Sequence, residues 1–78
     1  MEHRLLWRAI EKLAISHGLT CSGLAKLCGL DATTFNKSKH FSSDGTPRWP
    51  SCNTISKLIR ATNITMLDFA KLCAPESE

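Results

Sequence analysis

Apolar residues along this chain recur at steps of three and four, the period of a helix, in five segments separated by turn-forming residues. From Glu2 to about Ser16, Leu6, Ile10, Leu13 and Ala14 share a face that Ala9 widens and Trp7 borders, while Arg4, Arg8, Glu11 and Lys12 lie opposite. Gly18 offers this first helix a left-handed stop. Thr20 is positioned to cap a second helix of barely two turns, with Cys21, Leu24, Ala25 and Cys28 on its inner side and Gly29 at its end. Gly23 inside it costs about 1 kcal/mol relative to alanine, which a close backbone contact would explain. The short link Gly29-Leu30-Asp31 then forces a third helix to leave at a steep angle, with Leu30 filling the elbow.

That third helix is expected from Asp31, its cap, to about His40, with Phe35 turned inward. Residues 41–50, FSSDGTPRWP, hold two prolines and a glycine and read as a loop. Ser51 caps a fourth helix with Ile55, Leu58, Ile59 and Thr62 inward and Asn63 as its stop. Thr65 caps a fifth, where Asp68 completes a capping box and Met66, Phe69, Ala70 and Cys73 face the core. Leu67 and Leu72 fall off that face. The expected architecture is all-α: one five-helix domain over residues 1–74, with 75–78 a polar tail or the start of a linker.

The third segment has an unusual polar side. At about 100° per residue, Thr33, Asn36, Lys37 and His40 fall on one stripe of a helix without a single acid. Hydroxyl, amide, ammonium and imidazole groups suit base edges and phosphates. The competing reading is an ordinary solvated helix face. At the helix end, Lys39 and His40 also favour the dipole, whatever else they contact.

Charge sharpens this picture. The formal net charge is +3, but Lys26 to Arg60 holds six Lys/Arg against Asp31 and Asp44, and Asp68 to Glu78 sums to −2. Basic character is concentrated in the middle. A chain of 78 residues buries only roughly 60% of its unfolded surface, which argues against a large cofactor cavity. Cysteines 21, 28, 52 and 73 lack the C-x-x-C spacing of zinc or redox sites and read as reduced structural thiols. No metal or cofactor is expected. With no leader-like start and no apolar run near the ~20 residues of a bilayer span, the expected location is the cytoplasm, at the bacterial nucleoid.

Residues Cys21 to Lys39, with Leu24, Ala25, Gly29, Leu30 and Phe35 at apolar, small and turn positions, resemble the helix-turn-helix of the lambda-repressor-like family of phage repressors and Cro proteins. More narrowly, TTFNKSK and RWPS, separated by a polar loop, are similar to bacterial prophage-repressor-type regulators. In that group such a domain often precedes a self-cleaving serine/lysine peptidase domain, of which these residues contain nothing. Three positions depart from the family pattern: Cys21 stands where many relatives carry glutamine, Gly23 where glutamate is common, and Ser38 where a branched apolar residue is usual.

The resemblance implies sequence-specific binding of double-stranded DNA by a transcriptional regulator without enzymatic activity, the third helix lying in the major groove. Thr33, Asn36 and Lys37 would read bases, with Ala32 and Thr34 against thymine methyls. Cys21, Ser22 and Lys26 on the second helix would face the backbone, as would Lys39 and His40. Arg48, Ser51 and Cys52 would clamp a phosphate at the start of the fourth helix. A homodimer on a palindromic operator, with half-sites about 34 Å apart, follows from the small contact area of one domain. The alternative is a protein-interaction module using Leu67 and Leu72 as its apolar surface.

Overall fold

The structure, a computed structural model, describes residues 2–75, so the expected tail beyond Pro75 lies outside the described residues. Four α-helices form: α1 (His3–Ser16), α2 (Cys21–Leu27), α3 (Cys52–Thr62) and α4 (Met66–Cys73). Among the described residues there is no β-strand; a single antiparallel bridge pairs Phe41 with Pro47. The fold is all-α, with four helices where five were expected. A radius of gyration of 12.0 Å is that of one packed domain of this length, about 11.5 Å.

Three of the helices stop in the same way. Gly18, Gly29 and Asn63 take positive φ, and each returns the next amide to a carbonyl in the last turn: Leu19 to Ala14 at 2.8 Å, Leu30 to Ala25 at 2.9 Å and Ile64 to Ile59 at 3.2 Å. The reversal turns Leu19, Leu30 and Ile64 back onto the core. Helix starts are equally local. Thr20 accepts from the Gly23 amide and Ser51 from the Thr54 amide, while Thr65 and Asp68 close a reciprocal capping box.

Between these ends the apolar faces meet on α1, which packs against α4 on one side and α2 on the other. Ile10, Leu24 and Leu58 are the largest fully buried side chains, surrounded by Leu6, Leu13, Phe35 and Phe69. Trp7, expected at the margin, is only 4% exposed and belongs to the core. Of the residues expected inward on α4, Met66 is 60% exposed and Ala70 is exposed too, so only Phe69 and Cys73 of that face are buried. Leu72 packs partly against the core, leaving Leu67 as the exposed leucine of that helix.

The third expected helix is absent. Residues 32–35 form a turn, Asn36 is extended at ψ 152, and Lys37–Lys39 make one 3₁₀ turn. The cause is local competition. Asp31 Oδ1 accepts from the Thr33 amide at 2.8 Å and its hydroxyl at 2.6 Å, and the Asp31 carbonyl accepts from the Thr34 hydroxyl at 2.7 Å. Side chains thus supply bonds that a helix would draw from the backbone, and two successive β-branched residues weaken the helical option further. Phe35 still reaches the core, at 2% exposure, so burial fixes the turn.

Gly23 has no steric justification. A β-carbon there would meet Thr20 Oγ1 at 3.4 Å and Leu19 Cδ2 at 3.6 Å, ordinary van der Waals distances, so the close backbone contact expected of this glycine is not found. Gly23→Ala therefore raises stability by about 0.5–1 kcal/mol, read as a higher urea midpoint at unchanged slope.

Candidate nucleic-acid interface

Residues 31–40 form a ridge with a groove on each side. The first groove, about 480 Å³, lies against α1 and is lined by Arg4, Arg8, Glu11 and Lys12 on one wall and by Lys37, His40 and Phe41 on the other. The second, about 460 Å³, runs toward the start of α3 and brings together Thr33, Thr34, Lys39, Arg48 and Ser51 with Trp49 and Thr54. Trp7 lies at the base of both.

This divides the expected stripe. Without a continuous helix, Thr33 faces the second groove, Lys37 and His40 face the first, and exposed Asn36 lines neither. Ala32 is half-buried and also outside both. Of the expected backbone contacts, Lys39, Arg48 and Ser51 converge, whereas Cys21, Ser22, Lys26 and Cys52 line neither groove. The threonines are also chemically restricted. Both hydroxyl protons are committed to Asp31, so Thr33 and Thr34 present a methyl and an acceptor oxygen but no free donor.

Aromatic and imidazole rings fix the ridge to α1. Trp7 Nε1–H donates to the Arg48 carbonyl at 3.0 Å, and His3 Nε2 lies 2.9 Å from the same oxygen. The same indole N–H lies 3.0 Å from His3 Nε2, so with that nitrogen unprotonated it has two acceptors, the imidazole and the carbonyl. The His40 ring stacks on Trp7 with centroids 4.1 Å apart and planes inclined at 19°, replacing its expected role at a helix end. His3 meets Phe41 at 4.9 Å and Trp49 edge-on at 5.2 Å, while Trp49 remains 51% exposed. The intervening loop closes on itself: Arg48 N–H donates to the His40 carbonyl, and the Thr46 amide donates to Asp44 Oδ1.

Electrostatically the two grooves differ. Both have a carboxylate in their lining, Glu11 in the first and Asp31 in the second, and they differ in cations, four in the first against Lys39 and Arg48 in the second; hydrogen bonds from Thr33, aided by Lys39, hold the Asp31 carboxyl below its ordinary range. Burial raises the Cys21, Cys28 and Cys73 thiols, with Glu11 adding to the effect at Cys21, which keeps them protonated and weakly reactive. All four cysteines are free. Among the described residues, no group of three His, Cys, Asp or Glu is placed to hold a metal. Nor is any helix among them long and apolar enough to cross a membrane.

Sequence periodicity gives little notice of Trp7, His3 and Trp49, because their contacts span more than 40 positions, from α1 to Arg48 and beyond. Arg4, Arg8 and Lys12 are visible as a stripe at steps of four, but Lys37 opposite them is not.

Burial on Trp7 lowers the His40 pKa from its ordinary 6.5, with His3 and Lys37 acting in the same direction and Glu11 and a bond to Phe35 opposing. The unfolded chain therefore takes up this proton first. Stability linked to His40 is complete above pH 6.5 and declines as pH falls through that value toward the lower folded pKa. Between pH 7.5 and 5.5 the urea midpoint of the parent should fall more than that of His40→Phe, which keeps a ring and cannot titrate. No family model, curated protein or solved structure matches the chain, so its own residues are what bear on function.

Proposed function

We propose that the chain is a sequence-reading double-stranded DNA-binding domain of a transcriptional regulator, similar to prophage repressors, with the 31–40 ridge entering the major groove. The observation that carries this reading is the ridge itself: Thr33, Asn36 and Lys37 project from an α2–turn segment anchored through Phe35, with Lys39 and Arg48 alongside. A ridge between two grooves can follow a duplex groove with a phosphate strand on either side. Asn36 is the principal base reader, because its amide is exposed and can pair two-pronged with adenine. Thr33, Thr34 and Ala32 offer methyl contacts to thymine. Lys37, set among the cations of the first groove, is better suited to phosphate than to guanine. Arg48 and Ser51, with Cys52 beginning α3, take a second phosphate.

One ridge reads few base pairs, so two copies on a palindromic operator supply the affinity, with Leu67 as the apolar contact between them. The same leucine, 65% exposed beside Met66 at 60%, favours a second reading as a protein-interaction module without base preference. Salt dependence separates the two, since phosphate contacts lose affinity steeply with added salt and an apolar contact does not.

Selection of bound duplexes from a random pool should enrich a palindrome. Asn36→Ala should lose about 1–3 kcal/mol of discrimination at one base pair per half-site at nearly unchanged salt slope. Lys37→Ala should weaken binding to all sequences and reduce the slope by about one. Failure of the parent to enrich any sequence at low salt would sink the base-reading function and leave the interaction module.

A further inference from the structure

The groove between the ridge and α3 brings an aromatic ring, a carboxylate and two cations together in about 460 Å³, within the ~300–1,000 Å³ of small-ligand sites. Trp49 supplies the ring. It is 51% exposed, yet its place is set: Trp7 holds the carbonyl of the preceding Arg48, and His3 packs against the indole at 5.2 Å with planes at 80°. An indole held in place but left uncovered is a surface on which a flat heterocycle stacks with little loss of side-chain freedom. Asp31 is only partly used. Both bonds that it accepts from Thr33 fall on Oδ1, which leaves Oδ2 to accept from a ligand N–H. Lys39 and Arg48 line the same groove, and Thr54, whose hydroxyl oxygen accepts from Ser51, keeps its own hydroxyl proton for a further bond.

We propose that this groove binds a free nucleotide, with the base stacked on Trp49, an amino group of the base on Asp31 Oδ2 and the phosphate between Lys39 and Arg48. The lining selects this class of ligand. Two cations against one carboxylate favour a ligand with net negative charge over a zwitterion such as an aromatic amino acid. A bare phosphate or a sugar phosphate would leave the indole and Oδ2 unused. Because Arg48 and Ser51 also take a phosphate of the duplex in the function proposed above, a bound nucleotide competes with DNA; that consequence rests on the DNA-binding reading, whereas nucleotide binding itself does not.

Isothermal titration calorimetry of the full chain with adenosine 5′-monophosphate, adenosine and ribose 5-phosphate tests the site. The monophosphate should bind about tenfold or more tighter than either fragment, since stacking and the charge-assisted contacts each contribute about that factor. Trp49→Leu should weaken the monophosphate about tenfold and leave ribose 5-phosphate unaltered, and Trp49→Phe, which keeps a ring, should restore most of the loss. Lys39→Gln/Arg48→Gln should erase the preference for the monophosphate over adenosine, a ratio measured within one protein and therefore independent of its folded fraction. Lys57→Gln/Arg60→Gln, which removes two exposed cations of α3 outside the groove, should change nothing. Equal affinity for ribose 5-phosphate and the monophosphate, or indifference to Trp49→Leu, overturns the site as general anion attraction. Binding of a single-stranded oligoadenylate without binding of the mononucleotide overturns the free ligand as its occupant. In a second titration the monophosphate should raise the protein concentration needed to half-saturate the selected duplex. Mononucleotide binding by a chain that binds no duplex keeps the site and removes the DNA reading; duplex binding without mononucleotide binding removes the site alone.

Discussion

The hydrogen bond from the Trp7 indole to the Arg48 carbonyl is the constraint around which the surface of this domain is arranged. It joins the first helix to the far end of the 41–50 loop, a separation of 41 positions. A small four-helix core has few long-range contacts of this kind, so one buried donor that finds its acceptor decides where the loop lies. His3 Nε2 stands 2.9 Å from the same oxygen and 3.0 Å from the indole nitrogen, so the three groups form one cluster. Once the loop is held, His40 falls on the indole, and the ridge acquires a wall on each side.

The framework was legible in the sequence wherever one residue determines its own backbone. Gly18, Gly29 and Asn63 stop helices because they tolerate positive φ, and Thr20, Ser51 and Thr65 start them because their hydroxyls reach an amide three residues on. The buried faces followed from periodicity for the same reason: Ile10, Leu24, Leu58 and Phe69 each lie where a helical step puts them. These signals act within a single turn and need no tertiary information.

The ridge was not legible, and the failure has a physical origin. Residues 31–40 satisfy the helical pattern, with Phe35 inward and a good cap in Asp31, yet two threonines following that cap draw its carboxylate and carbonyl into side-chain bonds. Pattern and capping agree with a helix there, while hydroxyl competition opposes it, and in a segment of ten residues the competition wins. The candidate site inherits the error. Thr33, Lys37 and His40, adjacent on an ideal helix, end up on opposite sides of a ridge, and the α1 wall facing Lys37 depends on how that ridge is placed.

Trp7 is shared floor to both grooves. An occupant of one groove that shifted the indole would alter the cavity on the other side, and any resulting change in affinity would be the same factor in both directions. Coupling between the two faces would then run through a single ring, without any larger movement of the helices.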